Sequence, residues 1–572
     1  MEKIKQIRKF FLKLNLDGYI IPKNDEYFNE YINSNNDNLK YITNFSGSYG
    51  FAIILKKKNF LFVDGRYTLQ AEKQSKKFFK IITIPQAMPA DVFKKKKLRI
   101  GYDPKLHTHI GLLKLFKKTK CSLVKIHNNL VDQIWIKRKI NREKKFFILS
   151  DKVVGKSKDR KIQSVLNILR KRNVDFHFIS NSENVAWMLN IRGHDSPYAP
   201  IPNCRVLLKK TGEIIFFCKK NKISRNFMRK FKKTKFVDEV KIAPYFQKIY
   251  NKKILVDPNS CSIFLRDALK NKNFLIEKLD PIYYLKSRKN KIEIRNSENI
   301  HVADGVALTK FLIWLKNNYQ KKEITELQAQ QKLLKFRMKN KSFLHPSFPT
   351  ISGTGPNGAI IHYKANLETN RKLRLGDIYL VDSGGQYNYG TTDVTRTVSL
   401  NNKNLRIRNI FTLVLKGHIA VSNFKLKKDT SGSDIDKVAR EPLRKVKLDY
   451  PHGTGHGVGY YLNVHEGPQA LSKNNFVSLK EGMILSNEPG YYEKNKFGIR
   501  IENLITIKKK INKLFFENLT LVPIEKDLIN KNLLDNKEKN WLNRYHNTVF
   551  EKLKNFMNKE EKRSLKLACL KI

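Results

Sequence analysis

The sequence predicts a multidomain chain of mixed class, with two similar N-terminal α/β domains followed by a C-terminal α+β domain. Three observations predict it. The chain has 572 residues, 41% of them hydrophobic, which is ample for more than one buried core. Two stretches of its first 290 residues repeat one order of elements. Beyond residue 288 the texture changes to two helical patterns followed by glycine-punctuated strands.

The elements justify themselves in order. MEKIKQIRKFFLKLNLDGYIIP reads as an amphipathic helix running into a strand. It lacks the long apolar region and small-residue cleavage site of a signal peptide. LDGYIIPKNDEYFNEYI (16–32) and VDFHFISNSENVAWML (174–189) each read as an acidic residue, a short apolar strand, a polar turn and a helix start. NFSGS (44–48) and NIRGH (190–194) come next. Then FAIILKKKNFLFV (51–63) and CRVLLKKTGEIIFF (204–217) each predict a hairpin around a lysine-rich turn. Helical patterns such as KIQSVLNILRKR (161–172) between the strands indicate α/β modules. The expected domains are therefore 1–140, 141–287 and 288–572, the last including a tail from about 510. In the third, 291–318 and 324–339 carry apolar residues at helical spacing. The strands follow in FPTISGTGPNGAIIHY, GDIYLVDSGGQY, GTTDVTRTVSL, GMILSNEPGYY and FGIRIENLITI.

Composition excludes several classes. No apolar run approaches the roughly 18 residues of a membrane span, so no membrane partner is expected. The five cysteines are scattered without a C-x-x-C, which gives no disulfide frame and favours a reducing compartment, by default the cytoplasm. The net charge of +62 is spread along the whole chain, and its longest run is KKKK at 94–97. It reads as solvated lysines on ordinary surfaces, without a specific nucleic-acid partner, although non-specific polyanion binding is expected at low salt.

The candidate chemistry lies in the third domain. HGTGHGVG (452–459) sets His452 and His456 among four glycines. Each glycine costs a helix roughly 1 kcal/mol against alanine, so a loop is expected. It matches no phosphate-loop consensus. A metal site, a proton-transfer site and two solvated imidazoles stay open at this point. Asp382 ends an apolar strand, Gly384 and Gly385 allow a turn, and Asp393 is expected inside the next strand. There Asp393, Thr395 and Thr397 share one face, opposite Val394, Arg396 and Val398. Glu488 follows the apolar run MIL before a Pro-Gly turn, and FGIRIENLI alternates Ile499 and Ile501 with Arg500 and Glu502. Charges between buried isoleucines need partners. Converging carboxylates need cations, and oxygen ligands with one imidazole suit manganese, cobalt or zinc. Two metals about 3.5–4 Å apart could share bridging carboxylates and activate a water.

These residues, in VDSGGQY, TTDVTRTV, HGTGHGVG, SNEPGYY and GIRIEN, closely resemble the pita-bread metallopeptidases. Within them the sequence is similar to the Xaa-Pro aminopeptidases (aminopeptidase P) of the three-domain cytosolic type. The likeness includes VDGRYTLQAEKQ (63–74), NVAWMLNIRG (184–193), PTISGTGPNGAIIHY (349–363), HGTGHGVGYYLNVHEGP (452–468) and the tail 519–546. The resemblance implies two creatinase N-terminal-like domains before a pita-bread catalytic domain. It implies that Asp382 binds one metal ion, that His456 and Glu488 bind the other, and that Asp393 and Glu502 bridge both. A water between the metals would attack the scissile carbonyl, with Glu488 as the proton acceptor. His362 and His465 match substrate-side histidines, and His452 matches a third near the proline. Arg500 would hold Glu502 or a neighbouring carboxylate, and Tyr492 occupies the position of an active-site tyrosine. The family's metal is manganese, with cobalt or zinc as alternatives, and its members form homodimers.

Three readings compete. The first is an aminopeptidase that releases the first residue from peptides with proline second. The second is a prolidase restricted to Xaa-Pro dipeptides, which the two N-terminal domains and the tail disfavour. The third is a non-catalytic, nucleic-acid-binding pita-bread protein, motivated by the charge and opposed by the intact ligand set. A creatinase-like amidine hydrolase would share the fold but not the full ligand set. No G-x-S-x-G or cysteine beside a base supports nucleophilic catalysis.

Overall fold

The computed structural model describes residues 1–138 and 143–572, so the boundary expected at 140 lies outside the described residues. These residues form two compact units. One comprises Met1–Asp151 with Lys156–Tyr283, the other Lys152–Gly155 with Tyr284–Ile572.

The first unit contains two six-stranded sheets of one topology. Strands β1 (Gly18–Pro22), β2 (Phe51–Leu55), β3 (Asn59–Asp64), β4 (Lys80–Ile84), β5 (Arg99–Tyr102) and β6 (Ser122–Lys125) lie in the order β4-β3-β2-β1-β5-β6. After a short β7 (Phe147–Ile148), the order recurs as β12-β11-β10-β8-β13-β14. Here β8 is Phe176–Ile179, β10 Arg205–Lys209, β11 Ile214–Cys218, β12 Thr234–Asp238, β13 Lys253–Val256 and β14 Phe274–Glu277; the short β9 (Ile191–Arg192) pairs with β7. In both sheets the first strand and the hairpin are antiparallel, and the outer pairs are parallel. The repeated order of motifs is thus a repeated fold. The copies differ after their first strands. The second continues into the buried Ser182–Leu189 helix, whereas 26–32 form turns and the first copy's helix waits until Asn38–Thr43. Asn181 caps the later helix by accepting from the Asn184 amide, and Asp37 caps the earlier one through Lys40.

The second unit opens with the Lys291–Asn318 helix, started by a capping box between Asn290 and Glu293, and the Glu326–Met338 helix. Strands β15 (Phe343–Pro346), β16 (Ile351–Thr354), β17 (Ile378–Ser383), β18 (Gly385–Tyr387), β19 (Gly390–Thr391) and β20 (Val394–Ser399) follow. β16-β17-β20 is an antiparallel sheet, and β15-β18-β19 is a second one. The connection expected to be a simple glycine turn therefore carries its own hairpin. The Leu405–Ser422 and Gly432–Arg444 helices lead to β21 (Gly455–Gly457), β22 (Glu466–Leu471), β23 (Ile484–Asn487), β24 (Gly490–Glu493), β25 (Phe497–Arg500), β26 (Asn503–Lys510) and β27 (Lys513–Asn518). Five of these form the sheet β22-β21-β23-β26-β27. Helices Asn536–Leu553 and Lys559–Ala568 end the chain. Each sheet buries one face under helices. Tyr379, Val381, Val394 and Val398 pack with Leu308, Phe311 and Leu333, while Leu485 and Ile505 pack with Ile435 and Ala439. Ile499 and Ile501 share a core with Leu415 and Leu542. Burying each isoleucine is worth about 1.5–3 kcal/mol, which fixes the register that turns Arg500 and Glu502 the other way.

Two core histidines set an acid limit. His418 Nδ1 bonds the Asn487 carbonyl, and His546 Nε2 accepts from the Ile524 amide. Burial pushes both rings down to about 3. The unfolded chain takes up these protons near pH 6.5, and the folded chain refuses them until about pH 3. Their stabilisation is complete above about pH 6.5 and is lost as pH falls, by at most about 1.4 kcal/mol per pH unit per ring. His546→Gln removes one ring, so its Tm deficit against wild type should shrink from pH 7 to pH 5. A deficit that stays constant across that range refutes the assignment.

Candidate active site

One register pair organises the site. On the antiparallel β17–β20 pair Asp382 lies opposite Thr395, and Asp393 immediately precedes β20 rather than lying inside it. Thr395 Oγ1 donates to Glu502 Oε2 at 2.8 Å, and the Glu502 amide donates to the Thr395 carbonyl at 3.2 Å. Arg500 Nε reaches Thr395 Oγ1 at 3.0 Å, and Thr397 Oγ1 donates to the Arg500 carbonyl at 3.0 Å. The face of Asp393, Thr395 and Thr397 is thus zipped to the segment carrying Arg500 and Glu502. On the opposite face Arg396 points away among Val394 and Val398.

His456 enters from β21. Its Nδ1 bonds the Gly457 carbonyl at 2.9 Å and must donate there, which turns the Nε2 lone pair inward. Nε2 stands 3.4 Å from Asp393 Oδ2 and 3.5 Å from Glu488 Oε1. Asp393, His456 and Glu502 offer ligand atoms all within 4.8 Å of one another. Ser486 ties the ends together, accepting from the His456 amide at 2.9 Å and donating to Glu488 Oε1 at 3.0 Å. Glycines are required here for close approach. A Cβ at Gly455 would collide with the Ser486 carbonyl, and one at Gly457 with Gln469 and the Glu466 carbonyl.

Arg500 is fully buried, and it resolves the choice left open for its partner: Nη2 bonds Asp382 Oδ2 at 2.6 Å. Its Nη1 donates to Tyr492 Oη at 2.6 Å, and Tyr492 Oη lies 2.9 Å from His452 Nε2. Because His452 Nδ1 bonds the Gly453 carbonyl, Nε2 accepts from the tyrosine. An unbroken chain of bonds therefore runs from His452 through Tyr492 and Arg500 to Asp382. Burial opposes the Arg500 charge, but Tyr492 and the Asp382 carboxylate outweigh it and hold the guanidinium firmly protonated.

The acidic groups outnumber this cation. Burial, then Asp382 and Glu488, push the Asp393 carboxyl well above the usual range, and burial, then Asp393, do the same to Glu502. The buried Oδ1 atoms of Asp382 and Asp393 have no hydrogen-bond partner among the described residues. An orphaned buried oxygen costs about 1–3 kcal/mol, more when charged. Four carboxylates, two of them with an orphaned oxygen, and one inward imidazole are a donor set that fits hard divalent cations.

The other expected histidines sit on anchored loops. His465 stacks edge-on to His456 with ring centroids 4.2 Å apart. Its neighbour Glu466 is ion-paired to Lys289, and both are buried. His362 is half-buried in the turn after Gly355–Ala359, a segment that packs on β25. The buried Glu326 carboxylate staples that turn by accepting from the Thr354 amide (2.8 Å), Asn357 Nδ2 (3.0 Å), Tyr363 Oη (2.8 Å) and the Arg371 amide (3.0 Å). The His452 carbonyl accepts from Arg440, which also grips Asp436 and Asp449. Sequence reasoning missed Thr395 and Glu326, whose partners lie far away in the chain, and Ser486 and Arg440, whose nearer partners Glu488 and Asp436 form no motif with them. The one available signal was charge inside an apolar pattern.

Comparison with known proteins adds the ancestry. Residues 296–509 match metallopeptidase family M24, and 512–572 match the C-terminal region of its peptidases. Residues 3–134 and 137–293 each match a creatinase/prolidase N-terminal domain. Xaa-Pro aminopeptidase 1 of Dictyostelium discoideum is 36% identical over 592 residues, spanning 96% of this chain and 93% of the relative. Aminopeptidase P2 of Arabidopsis thaliana is 34% identical, spanning 96% and 86%. The crystal structure of X-prolyl aminopeptidase from Caenorhabditis elegans, described as a cytosolic enzyme with a di-nuclear active site, superposes with a TM-score of 0.94 at 30% identity, covering 100% of this chain and 99% of that one. With end-to-end identity above 30% and that fold, the chain belongs to the Xaa-Pro aminopeptidases of metallopeptidase family M24.

Proposed function

We propose that this protein is a di-metal aminopeptidase that hydrolyses the bond between an N-terminal residue and a penultimate proline. The observation that carries the reading is the meeting of Asp382, Asp393, His456, Glu488 and Glu502 around two buried oxygens, Oδ1 of Asp382 and of Asp393, that no hydrogen bond from the described residues satisfies. Asp382 would hold one cation, His456 and Glu488 the other, and Asp393 and Glu502 both. Bound there, divalent ions, of which manganese is the first choice and cobalt or zinc the alternatives, would supply Lewis acidity and a water of lowered pKa.

The protein's own groups do the rest. The nitrogen leaving from a proline bond has no hydrogen and must be protonated as the bond breaks. Glu488 is the proton carrier: its side chain is 18% exposed, against 6% for Asp393 and 11% for Asp382, so it can reach both substrate and solvent. His465, beside the His456 ring, and His362 would donate to the carbonyl oxygen. His452, whose Nε2 accepts from Tyr492, lines the proline side together with that tyrosine. Arg500 is a positioning residue that fixes Asp382. The enzyme is proposed to work in the cytoplasm as a homodimer without specific nucleic-acid or membrane partners. In support of the location, the C. elegans neighbour is described as cytosolic.

Metal-reconstituted protein should cleave Xaa-Pro-Xaa peptides with kcat/KM at least about tenfold above that on Xaa-Pro dipeptides, a gap of about 1.4 kcal/mol. Turnover of the dipeptide alone would establish a prolidase instead. Absence of peptidase activity with tight RNA binding at physiological salt would establish the binding protein.

A further inference from the structure

Arg396 is 1% exposed, and among the described residues none of its hydrogen-bond partners is a carboxylate. Such an arginine is normally paired. Its fork is instead filled by neutral acceptors from two regions. From the strands of the site, Nη1 donates to the carbonyls of Thr395 (2.8 Å) and Glu502 (2.7 Å), and Nη2 donates to Asn503 Oδ1 (2.9 Å). From the C-terminal region, Nε donates to the Pro523 carbonyl (3.0 Å), and Nη2 to the Val522 carbonyl (2.7 Å) and Tyr545 Oη (2.9 Å).

The C-terminal side of this clamp is rigidly backed. Tyr545 Oη also meets the Val522 carbonyl at 2.8 Å, and its ring stacks on Trp541 at 5.4 Å. His546 accepts from the Ile524 amide. The Leu521 carbonyl lies so close to Gly305 of the Lys291–Asn318 helix that a Cβ there would collide with it. The other side is the backbone from which two acidic groups of the site project. Thr395 is two residues from Asp393, and the Glu502 carbonyl belongs to a candidate ligand. Alternation along β20 sends Thr395 Oγ1 to the Glu502 carboxylate and Arg396 to the Glu502 carbonyl, so both ends of one residue are held from adjacent strand positions.

We propose that Arg396 is a positioning residue that locks the Asp393–Thr395 and Glu502 backbones onto the C-terminal region, so that residues 520–546 set the metal affinity of the site. This rests on the metal-centre reading above. Among the described residues the guanidinium bonds none of His362, His452, His465 and Tyr492. It acts on the spacing of the Asp393 and Glu502 carboxylates, and its loss should therefore weaken metal binding more than turnover. Its counter-charge comes from the Glu502 carboxylate, which it faces without bonding. A point-charge replacement cannot span four carbonyls and two side-chain acceptors, so charge without the fork should not restore the site.

The test is calorimetric titration of metal-free full-length protein with manganese chloride alone, for wild type, Arg396→Lys, Arg396→Gln and Tyr545→Phe, with far-UV circular dichroism and Tm as fold controls. Expected are two ions bound by wild type and a Kd raised about 10- to 100-fold in both Arg396 variants. Tyr545→Phe, which keeps the core ring and loses one partner of the fork, should raise Kd by roughly threefold. At saturating manganese the variants should regain kcat on an Xaa-Pro-Xaa peptide with little change in KM. A folded Arg396 variant, or Tyr545→Phe if both Arg396 variants unfold, with wild-type manganese affinity refutes the positioning role. Wild type that binds no manganese overturns the metal-centre reading itself, and this inference with it.

Discussion

Glu488→Gln is expected to lower kcat on an Xaa-Pro-Xaa peptide by about 10²–10⁴-fold while leaving the fold and Tm close to wild type. The amide keeps the size of the side chain and one carbonyl oxygen toward His456 Nε2. It removes the ability to take a proton from water and return it to the proline nitrogen. The local structure supports the fold control: the Glu488 backbone is held through its amide to the Thr454 carbonyl at 2.8 Å, and Ser486 Oγ can donate to the new carbonyl as it does to the carboxylate. Alanine would also cut a metal ligand, so the glutamine variant separates proton transfer from metal loss. Retention of more than a tenth of wild-type kcat at saturating manganese would move the proton-carrying role to another group.

What could be read from the sequence follows from what each residue needs. Asp382, Asp393, Glu488 and Glu502 stand out because each lies at or within an apolar strand pattern, and His456 because it sits among glycines, local patterns visible without any partner. The tandem α/β modules are legible for the same reason, since strand, hairpin and helix signals recur in order. Partner identity is not local. Arg500 could have served Glu502 or a neighbour, and only the β17–β20 register, with Asp382 opposite Thr395, decides for Asp382. Thr395 reads as a strand-face hydroxyl and proves to be the hinge between Arg500 and Glu502. Arg396, assigned to the apolar face with Val394 and Val398, was a visible conflict whose resolution lies about 130 residues away, at Val522 and Pro523. Asp393 preceding its strand, and the extra hairpin of β18 and β19 in a supposed turn, are boundary effects of glycine-rich sequence, where propensity is weakest.

Stripping the protein with a chelator should abolish peptidase activity and lower Tm, by roughly 5–10 °C against protein held at about 100 times its metal Kd. Returning manganese should restore both. The size of the gap has a definite pH dependence. In metal-free protein the Asp393 and Glu502 carboxyls sit well above their ordinary values, first because they are buried and then because other carboxylates face them. A carboxyl raised in the folded state stabilises the metal-free fold fully below its unfolded value near 4, and that contribution is lost as pH rises through the folded value. The metal-free protein therefore loses stability toward neutral and alkaline pH, where two buried carboxylates must ionise against their neighbours. Cations relieve that strain, so the Tm gap between loaded and stripped protein should widen from pH 6 to pH 8. Metal takes the ionised carboxylates, so with their values raised its binding is coupled to proton release. Titration with manganese at pH 7.5 in two buffers of different ionisation enthalpy should show net proton release. A gap that narrows with rising pH, or binding with no proton release, would mean that the carboxyls are already ionised without metal. The donor set would then be compensated by some other cation, and the orphaned oxygens of Asp382 and Asp393 would need a different explanation.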